Sequence, residues 1–175
     1  MAVLIVVGLA RSGKDTAADY IAKKYGYQKY TFSSVLSEMI EERGEKPTKE
    51  KMLNLGDSLR KKMGMDAIAQ LLEKKITQHD NILLVGPRSI EEIEYFRKIF
   101  PQIWIIKIVA GSDERFLRRS KIDPSQKKEF LERDKQDSKT KGLEKVLQEA
   151  KIEIKNQSSK KDFYLQIENL MQKIQ

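Results

Sequence analysis

The chain has 175 residues, a length typical of one domain with a substantial core, and no cysteine, which excludes disulfides and thiolate metal sites. Charged residues make up 34% of it, apolar residues 39%, and the formal net charge is +8. No apolar run approaches the roughly 18 residues needed to cross a bilayer. The apolar start at residues 2–7 lacks the basic flank of a signal peptide, so we expect a globular cytoplasmic protein.

The positive charge has two interpretations. Lysines occur along the whole chain and are mixed with glutamates, as in Glu41-Glu42-Arg43 and Lys127-Lys128-Glu129. This mixing favours a solvated surface with a site for a small anion, and a nucleic-acid groove is the less favoured alternative. The sequence carries no signature of the oligomeric state.

Short apolar runs alternate with longer helical patterns, which is typical of βαβ units around a parallel sheet. Strands are predicted over residues 2–7, 27–32, 82–85, 103–109 and 152–154. Helices are predicted from 13 to about 25, from a cap at Ser33 or Ser34 through Ile40, from 48 to about 76 with a break at Gly64, from a cap at Ser89 to about 100, and from about 160. The strand at 103–109 is almost wholly apolar, so we expect it to be central and covered on both faces.

Residues 113–137 are dense in charge and poor in large apolar residues, a composition typical of a mobile cover. No repeat, low-complexity segment or long linker divides the sequence. We therefore predict a single domain over residues 1–175.

A phosphate-binding loop is the most specific motif. Gly8, Gly13 and Lys14 form the pattern G-x-x-x-x-G-K between a predicted strand and a predicted helix. The glycines allow backbone N–H groups to surround a phosphate, the helix N-terminus adds partial positive charge, and the lysine reaches the β- and γ-phosphates. The loop residues predicted to bind ATP are Gly8, Leu9, Ala10, Arg11, Ser12, Gly13, Lys14, Asp15 and Thr16.

Asp15 stands where most such loops carry the Ser or Thr that binds Mg²⁺. A carboxylate beside a triphosphate is repelled unless a cation lies between them. Asp15 is therefore a candidate Mg²⁺ ligand, directly or through water; alternatively it turns toward the acceptor site or pairs with a nearby Arg or Lys. The Thr16 hydroxyl is a candidate to bind the α-phosphate.

With this loop, the sequence resembles the nucleoside-monophosphate kinase and dephospho-coenzyme A kinase branch of P-loop proteins, and is most similar to the archaeal adenylate-kinase-related family of unassigned function. Residues 12–20 are also similar to phage deoxynucleoside-monophosphate kinases. The resemblance implies an α/β P-loop NTPase fold with a five-stranded parallel sheet in the order 2-3-1-4-5. It also implies a helical acceptor-binding insert, here residues 33–77, and an arginine-rich lid, here residues 113–137.

The resemblance further implies residues that bind the acceptor. Ser33 lies where the acceptor-binding helix begins, and Arg60, in the element Leu59-Arg60…Gly64-Met65-Asp66, is a candidate phosphate clamp. A solvated helix charge is the alternative for Arg60. Arg88 matches the arginine of a D-G-x-R motif, but the sequence here is Val85-Gly86-Pro87-Arg88, so the aspartate that assists Mg²⁺ is absent.

In the implied lid, related kinases use arginines to neutralise charge on the transferred phosphoryl group. The candidates are Arg115, Arg118, Arg119 and Arg133, of which Arg118 best matches the family spacing and one or two are expected to be functional. Asn156 lies in a stretch similar to the loop that packs on the adenine in dephospho-coenzyme A kinases. The only histidine, His79, is interpreted as a surface residue.

The predicted reaction is transfer of the γ-phosphoryl group of Mg·ATP to a nucleotide-like small molecule, a nucleoside monophosphate or dephospho-coenzyme A. Lys14, Arg88 and Arg118 are the predicted catalytic residues, and Ser33, Arg60 and Arg88 the predicted acceptor ligands. The alternative is an ATP-binding regulatory or nucleic-acid-associated NTPase with slow hydrolysis. The missing aspartate and the basic charge favour that alternative.

Overall fold

A computed structural model describes residues 3–77, 81–121 and 123–174. In this part of the chain a parallel sheet has helices on both faces. Its strands are β1 Val3–Val7, β2 Gln28–Thr31, β3 Ile82–Val85, β4 Ile103–Val109 and β5 Ile152–Lys155. The helices are α1 Lys14–Tyr25, α2 Phe32–Glu41, α3 Lys49–Met63, α4 Ala67–Glu73, α5 Ile90–Ile99, α6 Ser112–Leu117, α7 Lys127–Lys141, α8 Leu143–Glu149 and α9 Lys160–Ile174.

The strands are ordered β2-β3-β1-β4-β5 and all pairs are parallel, which confirms the predicted fold class and strand order. In the centre, Leu4 of β1 lies opposite Leu83 of β3 and Trp104 of β4. After β1 and α1, the chain forms β2 and β3 on one side of β1, and then β4 and β5 on the other side. The carboxyl ends of β1 and β3 therefore lie at a switch point, where open α/β sheets bind ligands.

The core has two layers because successive side chains of a strand point to opposite faces. Val3, Ile5 and Val7 of β1 pack against α2, α4, α5 and α8, while Leu4 and Val6 pack against α1 and α9. All five side chains are fully buried, as expected for a strand covered on both faces.

The prediction that 103–109 would be covered on both faces is only partly correct. β4 lies inside the sheet, but Ile103, Trp104, Lys107 and Val109 are only half-buried. For Ile103 and Trp104 the reason is that β5 pairs with β4 only from Ile106 onward, so the amino-terminal half of β4 lacks a neighbour on that side.

Helix boundaries follow local capping. Gly64, with φ of 105°, ends α3 as predicted, and Ser89 caps α5 in a reciprocal pair with Glu92. The predicted cap at Ser33 or Ser34 is wrong: the hydroxyl of Thr31 accepts the backbone N–H of Ser34 at 3.2 Å. Thr31 ends β2 in an extended conformation, so both serines fall within the first turn of α2.

Segment 113–137 contains a small packed centre. Phe130 is buried and its ring lies edge-on to that of Phe116, with 5.7 Å between the ring centres, while the guanidinium of Arg115 pairs with Asp134 at 2.6 Å.

The side chain of Arg133, on α7, lies outside the described part of the chain, and so does His79. No helix among the described residues is long and apolar enough to span a membrane.

Candidate active site

A cleft of about 620 Å³ lies at the carboxyl ends of β1, β2 and β3. Its floor is the phosphate loop, one wall comes from α2, α3 and α4, and Arg118 and Asp123 contribute from segment 113–137. The basic side chains that line it are Arg11, Lys14, Lys49, Arg60, Arg88 and Arg118, and the acidic ones are Asp15 and Asp123. Because cations outnumber carboxylates among these lining residues, the cleft is suited to an anionic ligand.

The sequence-predicted residues converge on this cleft. Those that line it are Gly8, Ala10, Arg11, Gly13, Lys14, Asp15, Thr16, Ser33, Arg60, Arg88 and Arg118. Leu9, Ser12 and Asn156 do not line it. Residues from five separate stretches of sequence therefore meet at one site.

The loop needs both of its glycines. Gly13 has φ of 99°, and a Cβ there would lie 2.2 Å from Nδ2 of Asn156. A Cβ at Gly8 would lie 2.5 Å from Oγ of Ser12 and 2.8 Å from the carbonyl oxygen of Ile108. The loop backbone is thus packed too closely against its surroundings to accept a side chain at either position.

Asn156 supports the phosphate loop from outside the cleft. Its Nδ2 donates to the carbonyl oxygen of Ser12 at 2.8 Å, and its backbone N–H donates to the carbonyl oxygen of Val109 at 2.7 Å. The first contact ties the end of β5 to the loop, and the second ties it to the end of β4. Asn156 therefore lies behind the loop, and its predicted place beside the adenine stays a prediction.

Lys14 and Asp15 form an ion pair, with 2.8 Å between Nζ and Oδ2. Of the alternatives for Asp15, this structure therefore has the pair with a lysine. Gly86, with φ of 79°, lies beside them, and a Cβ there would be 3.6 Å from Cε of Lys14. Gly86 is part of the strand-3 motif that lacks the aspartate.

The residues present suit Mg²⁺ that is shared with a nucleotide. Among the described residues, no group of three or more His, Cys, Asp or Glu could hold a metal ion. Mg²⁺ is commonly bound by one or two carboxylates together with substrate phosphates and water. The exposed carboxylate of Asp15, which lines the cleft, fits that arrangement.

Arg60 and the backbone of Arg88 are joined by a buried carboxylate. Oε1 of Glu92 lies 2.8 Å from Nη2 of Arg60, and its Oε2 accepts the backbone N–H of Arg88 at 2.7 Å. The side chain of Arg60 is 8% exposed, so the alternative of a solvated helix charge is wrong. Burial raises the pKa of Glu92, while Arg60 and the backbone N–H groups of Arg88 and Ser89 act to lower it.

The arginines of segment 113–137 have different surroundings. Arg118 lines the cleft and donates from Nη2 to the carbonyl oxygen of Asn156 at 2.9 Å. Arg115 is buried and donates to the carbonyl oxygen of Ala10 at 3.1 Å, which anchors α6 to the phosphate loop. The guanidinium of Arg119 lies 4.1 Å from the centre of the Phe116 ring. Of these three, Arg118 alone faces the cleft.

Sequence reasoning missed two features. The Nε of Arg11 donates to Oδ2 of Asp123 at 2.7 Å, which docks the loop after α6 onto the phosphate loop. Lys49, Met52 and Leu53 of α3 also line the cleft. Their helical spacing from Arg60 places them on the same face of α3, but no sequence signal indicated that the Nζ of Lys49 would be buried.

A family model described as an AAA domain matches residues 7–132, which is more than half of the chain. The UPF0200 protein of Thermococcus sibiricus is 31% identical over 182 residues, covering 98% of this chain and 95% of that protein. The chain belongs to these families. The UPF0200/UPF0201 protein of Archaeoglobus fulgidus is also 31% identical, over 99% of this chain, but the chain spans only 56% of that relative's length.

Solved structures show the same fold. Shikimate kinase from Bacteroides thetaiotaomicron has a TM-score of 0.64 at 12% identity, covering 99% of this chain and 98% of that one. Shikimate kinase from Aquifex aeolicus has a TM-score of 0.59 at 14% identity, with 98% and 95% covered. The TT1252 protein from Thermus thermophilus has a TM-score of 0.66 at 15% identity, with 99% and 98% covered. This UPF0200 chain therefore has the P-loop kinase-like fold predicted from its sequence.

Proposed function

We propose that this protein is an ATP-dependent phosphotransferase that moves the γ-phosphoryl group of Mg·ATP to a nucleotide-like small molecule, either a nucleoside monophosphate or dephospho-coenzyme A. One observation carries the proposal. The phosphate loop lines the same cleft of about 620 Å³ as Arg60, Arg88 and Arg118, which come from three other parts of the chain. A donor site and a cationic acceptor site in one cleft are what phosphoryl transfer between two bound molecules requires.

On the donor side, the backbone of residues 8–16 and the start of α1 would hold the phosphates of ATP. Lys14 would exchange its contact with Asp15 for the β- and γ-phosphate oxygens. Asp15 would hold Mg²⁺ together with those oxygens and water, and the ion would neutralise the charge of the phosphates. The hydroxyl of Thr16 would bind the α-phosphate.

On the acceptor side, Arg60 and Arg88 would bind an anionic group. One guanidinium group can donate two parallel hydrogen bonds to two phosphate oxygens. Glu92 fixes Arg60 in the orientation seen here. Ser33 would add a hydroxyl at the start of α2. Arg118 would stabilise charge that develops on the phosphoryl group during transfer.

The two acceptor classes differ in what they require of the protein. A nucleoside monophosphate accepts through a phosphate oxygen that is already ionised, so no base has to remove a proton. The hydroxyl of dephospho-coenzyme A needs a nearby base, and Asp15 is the candidate because its carboxylate is exposed in the cleft. Of the two acceptor classes, only dephospho-coenzyme A therefore requires Asp15 as a base.

A regulatory or nucleic-acid-associated NTPase with slow hydrolysis is the second candidate. It is favoured by the absence of a carboxylate in Val85-Gly86-Pro87-Arg88. Binding to RNA or DNA that weakens steeply as salt rises, because counterions are released, would support this candidate.

The test measures ADP formation from Mg·ATP with a panel of acceptors: AMP, CMP, UMP, GMP, the deoxynucleoside monophosphates and dephospho-coenzyme A. We expect one acceptor to stimulate ADP release well above the background without acceptor. Lys14→Ala should lower that rate by about a hundredfold or more. Lys23→Ala, an exposed lysine on the same helix, is the matched control and should retain it. ATP binding without stimulation by any acceptor would contradict the proposal.

A further inference from the structure

Lys49, the first residue of α3, has a buried charge for which the described residues provide no partner. Its Nζ has almost no solvent-accessible surface, makes no hydrogen bond within the described part of the chain, and belongs to a side chain that lines the cleft. The carboxylate of Glu45, four residues earlier in the sequence, pairs with Lys51 at 2.6 Å. A buried ammonium is unfavourable unless an acceptor or an anion compensates for its lost hydration.

The carboxylates of the cleft are also engaged elsewhere. Asp15 pairs with Lys14 at 2.8 Å, and Asp123 pairs with Arg11 at 2.6 Å. An ammonium group donates three hydrogen bonds and accepts none. A ligand that meets Lys49 in this cleft must therefore present hydrogen-bond acceptors, and an anionic group compensates the charge best.

The position of Lys49 along α3 indicates where a matching ligand carries its charges. Lys49, Met52, Leu53 and Arg60 all line the cleft, and their spacing of three, four and eleven residues places them on one face of the helix. Eleven residues correspond to about 16 Å of helix. A cation therefore stands at each end of this face, with two apolar side chains between them.

We propose that the acceptor carries two anionic groups. One is the phosphate that meets Arg60, and the other is a carboxylate or second phosphate, at the opposite end of the molecule, that meets Lys49. The part between them packs on Met52 and Leu53. This inference rests on the proposed function and deepens it, because it makes Lys49 the residue that distinguishes doubly anionic acceptors from simple nucleotides.

The test is calorimetric titration of the full chain without ATP, so that binding is measured independently of phosphoryl transfer. The probes are two matched pairs: AMP with adenylosuccinate, and UMP with 5-carboxyuridine 5′-monophosphate. In each pair the second member adds carboxylate at the base. We expect the carboxylated member to bind about tenfold more tightly, the effect of one charge-assisted hydrogen bond.

Lys49→Met should abolish this preference while leaving the affinity for the simpler member within about threefold. Lys49→Arg should retain the preference because the charge is kept, and Lys51→Met, which removes a neighbouring exposed lysine, should also retain it. Equal affinity within both pairs, a preference that survives in Lys49→Met, or no binding by either pair would overturn the inference. Each of those results leaves the proposed function to be decided separately by the ADP-formation assay.

Discussion

Gly56 lies in the middle of α3, beneath the side chain of Arg60. A Cβ at this position would lie 3.2 Å from Nη1 of Arg60, 3.4 Å from Cδ1 of Leu36 and 3.6 Å from Cδ1 of Ile68. Glycine inside a helix costs about 1 kcal/mol relative to alanine. The absence of a side chain here lets the guanidinium lie close along the helix, toward Glu92.

We predict that Gly56→Ala will separate stability from function. The gain in helix propensity should offset the close contacts, so the free energy of unfolding in urea should change by less than about 1 kcal/mol. The displaced guanidinium should raise the KM for the acceptor by about fivefold to tenfold, since misplacement by about 1 Å can cost a hundredfold in rate. Ser58→Ala, on the exposed face of the same helix, should change neither quantity. An unchanged KM in Gly56→Ala would show that the position of Arg60 does not matter for the acceptor.

Individual residues were predictable where a motif fixes their spacing. Lys14 follows from the phosphate-loop pattern, and Arg88 from the similarity of Val85-Gly86-Pro87-Arg88 to the D-G-x-R motif after strand 3. Lys49 was not predictable, because it is one of 34 lysines and arginines and nothing in the sequence distinguishes it from the rest. The property that distinguishes Lys49 is the burial of its Nζ, and that burial depends on how α3 packs in the folded protein.

At the level of elements, Glu92 joins three parts of the site. It completes the capping box of α5, receives the backbone N–H of Arg88 and pairs with Arg60 of α3. The capping box was readable from Ser89 and the glutamate three residues later. The ion pair was not, since its partners are 32 residues apart in the sequence.

We predict that Glu92→Ala will destabilise the protein by about 3–5 kcal/mol, because it removes the close carboxylate partner of the buried Arg60 and the glutamate half of the capping box of α5. Chemical denaturation followed by circular dichroism measures this loss. Glu91→Ala removes an exposed carboxylate from the same turn and should cost less than about 0.5 kcal/mol. If the two variants were equally stable, the pair between Arg60 and Glu92 would contribute nothing to the fold.

The loop between α6 and α7 is docked on the phosphate loop by a pair that the sequence did not reveal. Arg11 contacts both Asp123, at 2.7 Å, and the hydroxyl of Ser120, at 2.5 Å. The composition of segment 113–137 suggested a cover over the site, but not how it is attached. Contacts between residues more than 100 positions apart depend on the whole fold, so local patterns cannot predict them.

Across the whole molecule, the strand order brings the site together. With β1 between β3 and β4, the phosphate loop after β1 and the arginine after β3 emerge at the same edge. The alternation of strands and helices was enough to predict this architecture, because parallel sheets and their connections obey few rules. The acceptor could not be predicted, since it depends on side chains of α2, α3 and α4 that converge only in the folded protein.

The central claim is that the cleft transfers a phosphoryl group between two bound molecules. It is tested most directly with ATP that carries radioactive phosphorus in the γ-phosphoryl group, incubated with the protein, Mg²⁺ and the acceptor panel, with products separated by chromatography. We predict that the label will appear in one phosphorylated acceptor, and that Lys14→Ala will abolish the transfer while Lys23→Ala will not. Label found only in inorganic phosphate, at the same rate with and without every acceptor, would contradict the claim and identify the protein as an NTPase.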